Sequence, residues 1–147
     1  MNLIRKITSS HSAKDEEFIM AIRKILGYRP KKVDFYKEAF THSSLKRVNE
    51  QGNPKNYERL EFLGDAILGA VIANYLFKKI PHGDEGYLTQ MRSKIVSREH
   101  LNELGKDLDL IHFVESSIPS ANFGDNIHGN LFEALIGAIH SDRGYSF

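Results

Sequence analysis

The sequence YERLEFLGDAILG, at residues 57–69, constrains the fold more than any other stretch of this chain. Glu58, Glu61 and Asp65 are spaced i, i+3 and i+7, which places their three carboxylates on one stripe of a helix. The residues around them are almost all apolar, and this pattern predicts a helix that is buried on most of its circumference. Carboxylates on such a helix repel one another and lose hydration, so the stripe requires a neutralising cation.

Turn-forming residues predict the limits of this helix. Asn53 and Pro54 suit an N-cap and a first helical position, and Pro81 cannot continue a helix beyond Ile80. We therefore expect one long helix between these points, at the centre of the fold. Its apolar run, residues 66–77, is shorter than the roughly 20 residues that cross a bilayer. The sequence accordingly predicts a core helix and no membrane partner.

A second predicted helix, in residues 125–145, carries another polar pair, because Asn130 and Glu133 lie one turn apart among apolar residues. Glycine inside a helix costs roughly 1 kcal/mol relative to alanine, so glycines there are best explained by two backbones in close contact. The two predicted helices contain four of them, Gly64, Gly69, Gly129 and Gly137. If the helices pack at these glycines, Glu61, Asp65, Asn130 and Glu133 converge as oxygen ligands of the type that Mg²⁺ or Mn²⁺ prefers.

Four blocks of this sequence resemble, in order, the characteristic blocks of the ribonuclease III family. They are THSS at residues 41–44, ERLEFLGDAIL at 58–68, EGYLTQMRSKIVS at 85–97 and FEALIGAI at 132–139. The resemblance implies an all-α fold, that of the ribonuclease III endonuclease domain. It also implies an endonuclease that hydrolyses double-stranded RNA in rRNA and mRNA processing, acts as a homodimer, and uses Mg²⁺, for which Mn²⁺ is expected to substitute.

The same resemblance assigns roles to the acidic residues. The catalytic acids correspond to Asp65 and Glu133, and the metal ligands to these two together with Glu61 and position 130. The family usually has aspartate at that position, whereas this chain has Asn130. An amide oxygen still binds Mg²⁺, but one negative charge is lost, so we expect weaker metal affinity with the chemistry retained. The alternative is that Asn130 only caps its helix or forms a hydrogen bond with Glu133.

Four further residues receive secondary roles. Glu58 and Glu85 are acidic residues that we rank below the metal ligands. The negative charge of Glu85 suits a helix N-terminus. The family also carries an acid at this position, which could approach the metal. Phe62 resembles the residue that the family inserts into the partner subunit, and its alternative interpretation is a core residue. We interpret His42 as a partly buried hydrogen-bonding residue that fixes a helix end, in preference to a general base.

Six basic residues are candidates for RNA binding. They are Lys46, Arg47 and Lys55 in a polar loop, and Arg92, Lys94 and Arg98 on or beside a helix predicted over residues 87–104. An A-form duplex is recognised mainly through phosphates and 2′-hydroxyls, which basic residues interleaved with serines suit well. The alternative is that these charges only solvate an exposed surface.

Composition and length bound the domain organisation. The 147 residues correspond to one domain, and a net charge of +1 does not by itself indicate nucleic acid. We predict a weakly ordered arm at residues 1–11, a ribonuclease III catalytic domain at 12–147 whose first helix runs from Ser12 to Gly27, and no C-terminal double-stranded-RNA-binding domain, as in a truncated protein. The lack of cysteine and of a signal peptide predicts a cytoplasmic protein.

A second hypothesis comes from a different functional class. The chain could be a non-catalytic ribonuclease III-like domain that binds structured RNA or scaffolds a ribonucleoprotein, with Asn130 as the trace of a decayed site. The presence of Glu61, Asp65 and Glu133 argues against this, because clustered carboxylates repel an anionic ligand and have no use in a pure RNA binder.

Overall fold

The structure, a computed structural model, describes residues 12–147 and consists of helices and connecting loops in that range. The predicted weakly ordered arm, residues 1–11, lies outside the described residues. The α-helices are α1 (Ala13–Leu26), α2 (Val33–Ala39), α3 (Tyr57–Lys79), α4 (Glu85–Ile95), α5 (Arg98–Asp107) and α6 (Ile127–Arg143). Short 3₁₀ helices at Ser43–Leu45, Leu110–Phe113 and Ser120–Asn122 lie in the connections. The all-α class predicted from the sequence is therefore confirmed.

Two compact units divide the chain, Met1–Lys31 and Lys32–Phe147. The described part of the first unit contains α1. Ser12 Oγ accepts a hydrogen bond from the backbone N–H of Asp15 at 3.2 Å, which caps the start of this helix. The helix ends at Gly27, whose φ of 77° is a left-handed conformation that glycine adopts without strain. Both limits predicted for the first helix are confirmed.

The second unit is organised around the contact between α3 and α6. A Cβ atom at Gly64 would overlap the backbone carbonyl of Glu133, and one at Gly137 would overlap the backbone carbonyl of Leu60. Glycine at both positions therefore lets the two helix backbones touch. The close approach that the glycines predicted is confirmed at these two positions.

The other two glycines have different surroundings. Gly129 lies against α5, where its N–H donates a hydrogen bond to Asn102 Oδ1 at 2.8 Å. A Cβ atom at Gly69 would meet nothing within 4 Å in the described part of the chain. The predicted helix contact is wrong for Gly69, because this residue lies on a different side of α3 from Gly64.

The start of α3 differs from the prediction. The helix begins at Tyr57, and its N-cap is Asn56, whose Oδ1 accepts a hydrogen bond from the Glu58 N–H at 2.9 Å. The predicted cap, Asn53, instead belongs to a turn in which its N–H donates to Asn49 Oδ1 at 3.0 Å. The Asn49 side chain thus holds the predicted cap within the preceding loop.

The helix predicted over residues 87–104 is two helices, α4 and α5. The first begins earlier than predicted, at Glu85, after the N-cap Asp84. Ser97 starts the second, because its Oγ accepts a hydrogen bond from the N–H of His100 at 3.2 Å. The apolar spacing continues on both sides of Ser97, and for that reason the spacing alone concealed the break.

Contrary to the prediction, α3 is not buried on most of its circumference. One side presents an apolar surface at helical spacing, which we call the outer face: Phe62, Ala66, Gly69, Ala70, Ala73 and Phe77. Phe62 is 81% exposed and Phe77 is 72% exposed. By length and composition, the 23-residue helix could span a bilayer, whereas its apolar run, residues 66–77, was predicted from the sequence to be too short for that. Its acid stripe and its backbone contact with α6 are, however, those of a helix packed within a folded domain.

Candidate active site

The helices α3 and α6 bring the four predicted metal ligands together at one open pocket of about 680 Å³. Glu61 and Asp65 come from α3, and Asn130 and Glu133 come from α6. Gly64 lies between the two α3 acids in the sequence, so its contact with the α6 backbone holds both helices close at this point. The lining is completed by Tyr57, Glu58, Phe62, Val96, Arg98, Leu101, Asn126 and Gly129.

The carboxylates in this pocket, which we call the acid pocket, repel one another. Burial raises the pKa of Glu133 to about 7, and the charges of Asp65 and Glu61 add to that shift. The pKa of Glu61 is also raised, first by burial and then by the charges of Glu58 and Asp65. Arg98 opposes the shift at both glutamates. The acid pocket therefore carries an excess of negative charge that a further cation would relieve.

The donor atoms in the acid pocket fit a hard divalent cation. Glu61, Asp65 and Glu133 supply carboxylate oxygens, which are the ligands that Mg²⁺ prefers. Among residues 12–147, no three acidic or histidine side chains lie close enough together to hold an ion as they stand. A bound dication would attract all three carboxylates and lower the pKa of Glu61 and Glu133.

Asn130 forms hydrogen bonds inside the acid pocket. We assign its amide so that the NH₂ group donates to Glu61 Oε1 at 3.3 Å and to the backbone carbonyl of Asn126 at 3.3 Å. The N-cap of α6 is Asn126, so the interpretation of Asn130 as a cap is wrong. The other alternative predicted from the sequence was a hydrogen bond between Asn130 and Glu133. Asn130 does form a hydrogen bond with an acid of this pocket, but that acid is Glu61.

His42 is buried and lies outside the acid pocket. Its Nδ1 accepts a hydrogen bond from the N–H of Ser44 at 3.1 Å, which fixes the start of the Ser43–Leu45 turn of helix. Its ring stacks on Phe123 at 4.5 Å between centroids and on Tyr57 at 6.0 Å. The interpretation as a hydrogen-bonding residue at a helix end is therefore confirmed.

The six basic residues proposed for RNA binding lie in three places. Lys46, Arg47 and Lys55 are in the loop before α3, Arg92 and Lys94 are on α4, and Arg98 begins α5. Arg47 forms a salt bridge with Glu115, with 2.8 Å between Arg47 Nη2 and Glu115 Oε2. Of the six, Arg98 is the one that lines the acid pocket. The RNA-binding role stays a prediction for all six.

Glu85 and Phe62 also have defined places. Glu85 accepts a hydrogen bond from Thr89 Oγ1 at 2.9 Å and lies in a separate groove beside Phe77, outside the acid pocket. The suggestion that Glu85 approaches the metal ligands is therefore wrong within a single chain. Phe62 lies at the edge of the acid pocket and is largely exposed, so its interpretation as a core residue is wrong.

Sequence reasoning overlooked two polar residues of the pocket, Tyr57 and Asn126. Tyr57 precedes Glu61 by one helical turn, and Asn126 precedes Asn130 by the same interval, so their spacing was an available signal. A further pocket residue, Arg98, was identified only as a possible RNA contact. Its place beside the acids depends on how α5 packs, and no local pattern reveals that.

Comparison with known proteins agrees with this architecture. A sequence model described as Ribonuclease-III-like matches residues 33–147. The chain is 62% identical over 147 residues to Ribonuclease 3 of Zunongwangia profunda, and 60% identical over 148 residues to Ribonuclease 3 of Flavobacterium psychrophilum. Each match covers 100% of this chain and 60% of the relative. The chain thus spans about 60% of the length of these relatives.

Solved structures show the same fold. The nuclease domain of ribonuclease III from Campylobacter jejuni superposes with a TM-score of 0.74 at 34% identity, covering 88% of this chain and 89% of that chain. Dicer from Pichia stipitis superposes with a TM-score of 0.59 at 26% identity, covering 80% of this chain and 50% of that one. The overall helical fold is therefore shared with the nuclease domain of ribonuclease III from Campylobacter jejuni.

Proposed function

This chain belongs to the ribonuclease III family, and from that membership we propose that residues 12–147 form the catalytic domain of a metal-dependent endoribonuclease. Its substrate is double-stranded RNA, whose phosphodiester bonds it hydrolyses in rRNA and mRNA processing in the cytoplasm. The observation that carries the proposal is the meeting of Glu61, Asp65 and Glu133 from two helices in one pocket, where the pKa values of Glu61 and Glu133 are raised. Such a cluster is costly for folding and is typical of a functional site.

The family is metal-dependent in general, and we propose Mg²⁺ as the cofactor, with Mn²⁺ as a substitute. Glu61, Asp65 and Glu133 would hold the ion, and Asp65 and Glu133 are the proposed catalytic acids. A dication held there would supply an activated water and neutralise the charge that develops on the leaving oxygen. The guanidinium of Arg98 lies beside these carboxylates and offers donors to a non-bridging phosphate oxygen.

The ligand role predicted for Asn130 has a direct test. The Asn130→Asp variant adds a carboxylate to the acid pocket, so we expect it to lower the metal concentration that gives half-maximal cleavage. If Asn130→Asp needs the same or a higher Mg²⁺ concentration for half-maximal cleavage, the added carboxylate does not strengthen metal binding, and a ligand role for residue 130 is contradicted. The measurement is a titration of cleavage rate against Mg²⁺ for both proteins at one pH.

We propose that the active form is a homodimer joined through the outer face of α3. The small residues Ala66, Gly69 and Ala70 lie between Phe62 and Phe77 on this face and allow a second helix to approach closely. A structure described as concerning dimer formation is among the C. jejuni nuclease domains similar to this chain. Paired subunits would place two acid pockets along one duplex. Light scattering at micromolar concentration tests this, since a lone 16.8 kDa species would contradict it.

The proposed substrate is tested by incubating the protein with long double-stranded RNA and Mg²⁺. We expect cleavage of the duplex, with the Glu133→Ala variant as the inactive control. A single-stranded RNA of the same sequence measures the preference for the duplex. An intact duplex, with the wild-type protein indistinguishable from Glu133→Ala, would favour the non-catalytic RNA-binding alternative.

Substitution of Lys46, Arg92 or Arg98 tests the proposed phosphate contacts. Each substitution that removes a phosphate contact should reduce the salt dependence of RNA binding.

A further inference from the structure

The first turn of α6 is capped by a side chain from another helix. The first N–H groups of an α-helix have no acceptor within the helix itself. In α6 the N-cap residue is Asn126, whose side chain makes no capping hydrogen bond in the described part of the chain. The N–H of Gly129, the third residue of α6, instead donates to Asn102 Oδ1 of α5 at 2.8 Å. Asn102 therefore supplies the acceptor that an N-cap side chain supplies in other helices.

Two glycines allow α5 to lie directly against this turn of α6. A Cβ atom at Gly105 would overlap the backbone carbonyl of His128. One at Gly129 would lie 2.9 Å from Asn102 Oδ1 and 3.2 Å from the Asn102 backbone nitrogen. The two helices are thus too close here to admit a methyl group without a shift, and the hydrogen bond of Asn102 lies within that contact.

Arg98 lies one helical turn before Asn102, on the same face of α5. It lines the acid pocket, as do Gly129 and Glu133 of α6. Burial raises the pKa of Glu133, and the charge of Arg98 opposes that rise, which agrees with the placement of the guanidinium near this carboxylate. Arg98 is exposed, so the reach of its side chain depends on where α5 places its backbone.

We propose that Asn102 is a positioning residue of this site: by accepting a hydrogen bond from the Gly129 N–H it locks α5 to the first turn of α6 and thereby holds Arg98 at the acid pocket, within reach of an RNA phosphate. The inference rests on the proposed function for its connection to RNA. Loss of the Asn102 carbonyl would leave the Gly129 N–H without this acceptor and free the start of α5 to move. The phosphate contact would then be lost although Arg98 is still present.

The first test uses metal-free protein and no RNA. Nuclear magnetic resonance measures the exchange of the Gly129 amide hydrogen with water. We expect Asn102→Ala to speed this exchange roughly fivefold, because the amide loses its acceptor. Alanine favours a helix more than asparagine does, so α5 itself should persist. The control is Glu103→Ala, an exposed neighbour on the same helix. Unchanged exchange of Gly129 in Asn102→Ala would overturn the proposal.

The variant Asn102→Asp provides an independent arm should Asn102→Ala fold poorly. A carboxylate accepts a hydrogen bond more strongly than an amide oxygen does and is favoured at a helix N-terminus. The Gly129 amide should therefore exchange more slowly in Asn102→Asp than in the wild-type protein. Equal or faster exchange would overturn the proposal as well. Thermal unfolding of each variant confirms that the protein is folded during the measurement.

The second test asks whether Asn102 acts through Arg98. Binding of double-stranded RNA is measured without divalent metal over a range of salt concentrations. Loss of one phosphate contact lowers the slope of log affinity against log salt concentration by roughly one. We expect this loss in Arg98→Gln and a similar one in Asn102→Ala, although the latter changes no charge. The control is Asn122→Ala, an exposed asparagine outside the acid pocket. A wild-type slope in Asn102→Ala would overturn the positioning role.

The double variant, Arg98→Gln with Asn102→Ala, completes the test. We expect about fivefold weaker RNA binding in each single variant and no further loss in the double variant, because both changes remove the same contact. Independent effects would multiply to about 25-fold and would overturn the action of Asn102 through Arg98. If none of these proteins binds duplex RNA, the proposed function fails, while the exchange measurement still decides whether Asn102 locks the two helices together.

Discussion

The two sides of α3 are similarly apolar in sequence but have opposite surroundings. On the inner side, Leu60 and Gly64 are buried against α6, and the helix backbones touch. On the outer face, Phe62 and Phe77 are exposed and Gly69 faces open space in the described chain. An apolar helix surface therefore does not distinguish contact within the chain from contact with another molecule. An exposed apolar face of this kind is typical of an interaction site, which agrees with the proposed homodimer.

The acid stripe runs between these two sides. Glu61 and Asp65 meet Glu133 because the inner side packs on α6, whereas Phe62 borders the same pocket from the outer face. A change on the inner side should therefore damage the fold and the acid pocket together. A change on the outer face should leave the fold of one chain intact and alter its assembly.

Removal of one charge from the stripe has the largest expected effect. We expect Asp65→Asn to slow cleavage of double-stranded RNA about 1000-fold, which corresponds to ~4 kcal/mol of lost transition-state stabilisation. The fold should be unaffected, because Asp65 is exposed and its charge adds to the repulsion at Glu133. Single-turnover cleavage of a labelled duplex measures the rate. The control is Glu103→Gln, an exposed acid on α5 outside the acid pocket, and a similar rate for both variants would contradict the role of Asp65.

The next largest effect concerns the inner contact. We expect Gly64→Ala to reduce the free energy of unfolding by about 3 kcal/mol, because the added methyl group overlaps the Glu133 carbonyl. The matched control is Gly69→Ala on the same helix, where a methyl group meets nothing in the described chain and should stabilise the helix by up to ~1 kcal/mol. Urea unfolding at low protein concentration measures both variants. Equal stabilities would mean that the two sides of α3 do not differ as described.

These glycines also show what the sequence can and cannot predict. The helical class, the pairing of α3 with α6, and the grouping of Glu61, Asp65 and Glu133 were predictable, because spacing and composition report local geometry. The break at Ser97 and the open surroundings of Gly69 were not. The break depends on Ser97 acting as an N-cap inside an apolar pattern, and the surroundings of Gly69 depend on which side of α3 packs on α6. Tertiary packing decides both.

A larger side chain on the outer face should weaken self-association without destabilising the single chain. We expect Gly69→Leu to weaken self-association roughly 30-fold, or about 2 kcal/mol, because a large side chain would separate two closely packed helices. The stability of the single chain should be equal or higher, since leucine favours a helix more than glycine does. Sedimentation over a range of concentrations measures the dissociation constant. Lys78→Leu is the control, because Lys78 is exposed on α3 but lies off the outer face. Equal dissociation constants for the two variants would exclude this face from the dimer contact.

The smallest expected effect is a dependence of stability on pH that comes from the acid pocket, since the outer face has no titratable group. In metal-free protein the pKa of Glu133 is raised from 4.5 to about 7, so the folded state binds more protons than the unfolded state between these values. The free energy of unfolding should therefore fall as the pH rises from about 4.5 through about 7, with Glu61 contributing in the same direction. Urea unfolding at several pH values should give a shallower slope for Glu133→Gln than for the wild-type protein, whereas Gly69→Ala should keep the full slope. Parallel slopes in all three proteins would place the titration elsewhere and remove the electrostatic difference between the two sides of α3.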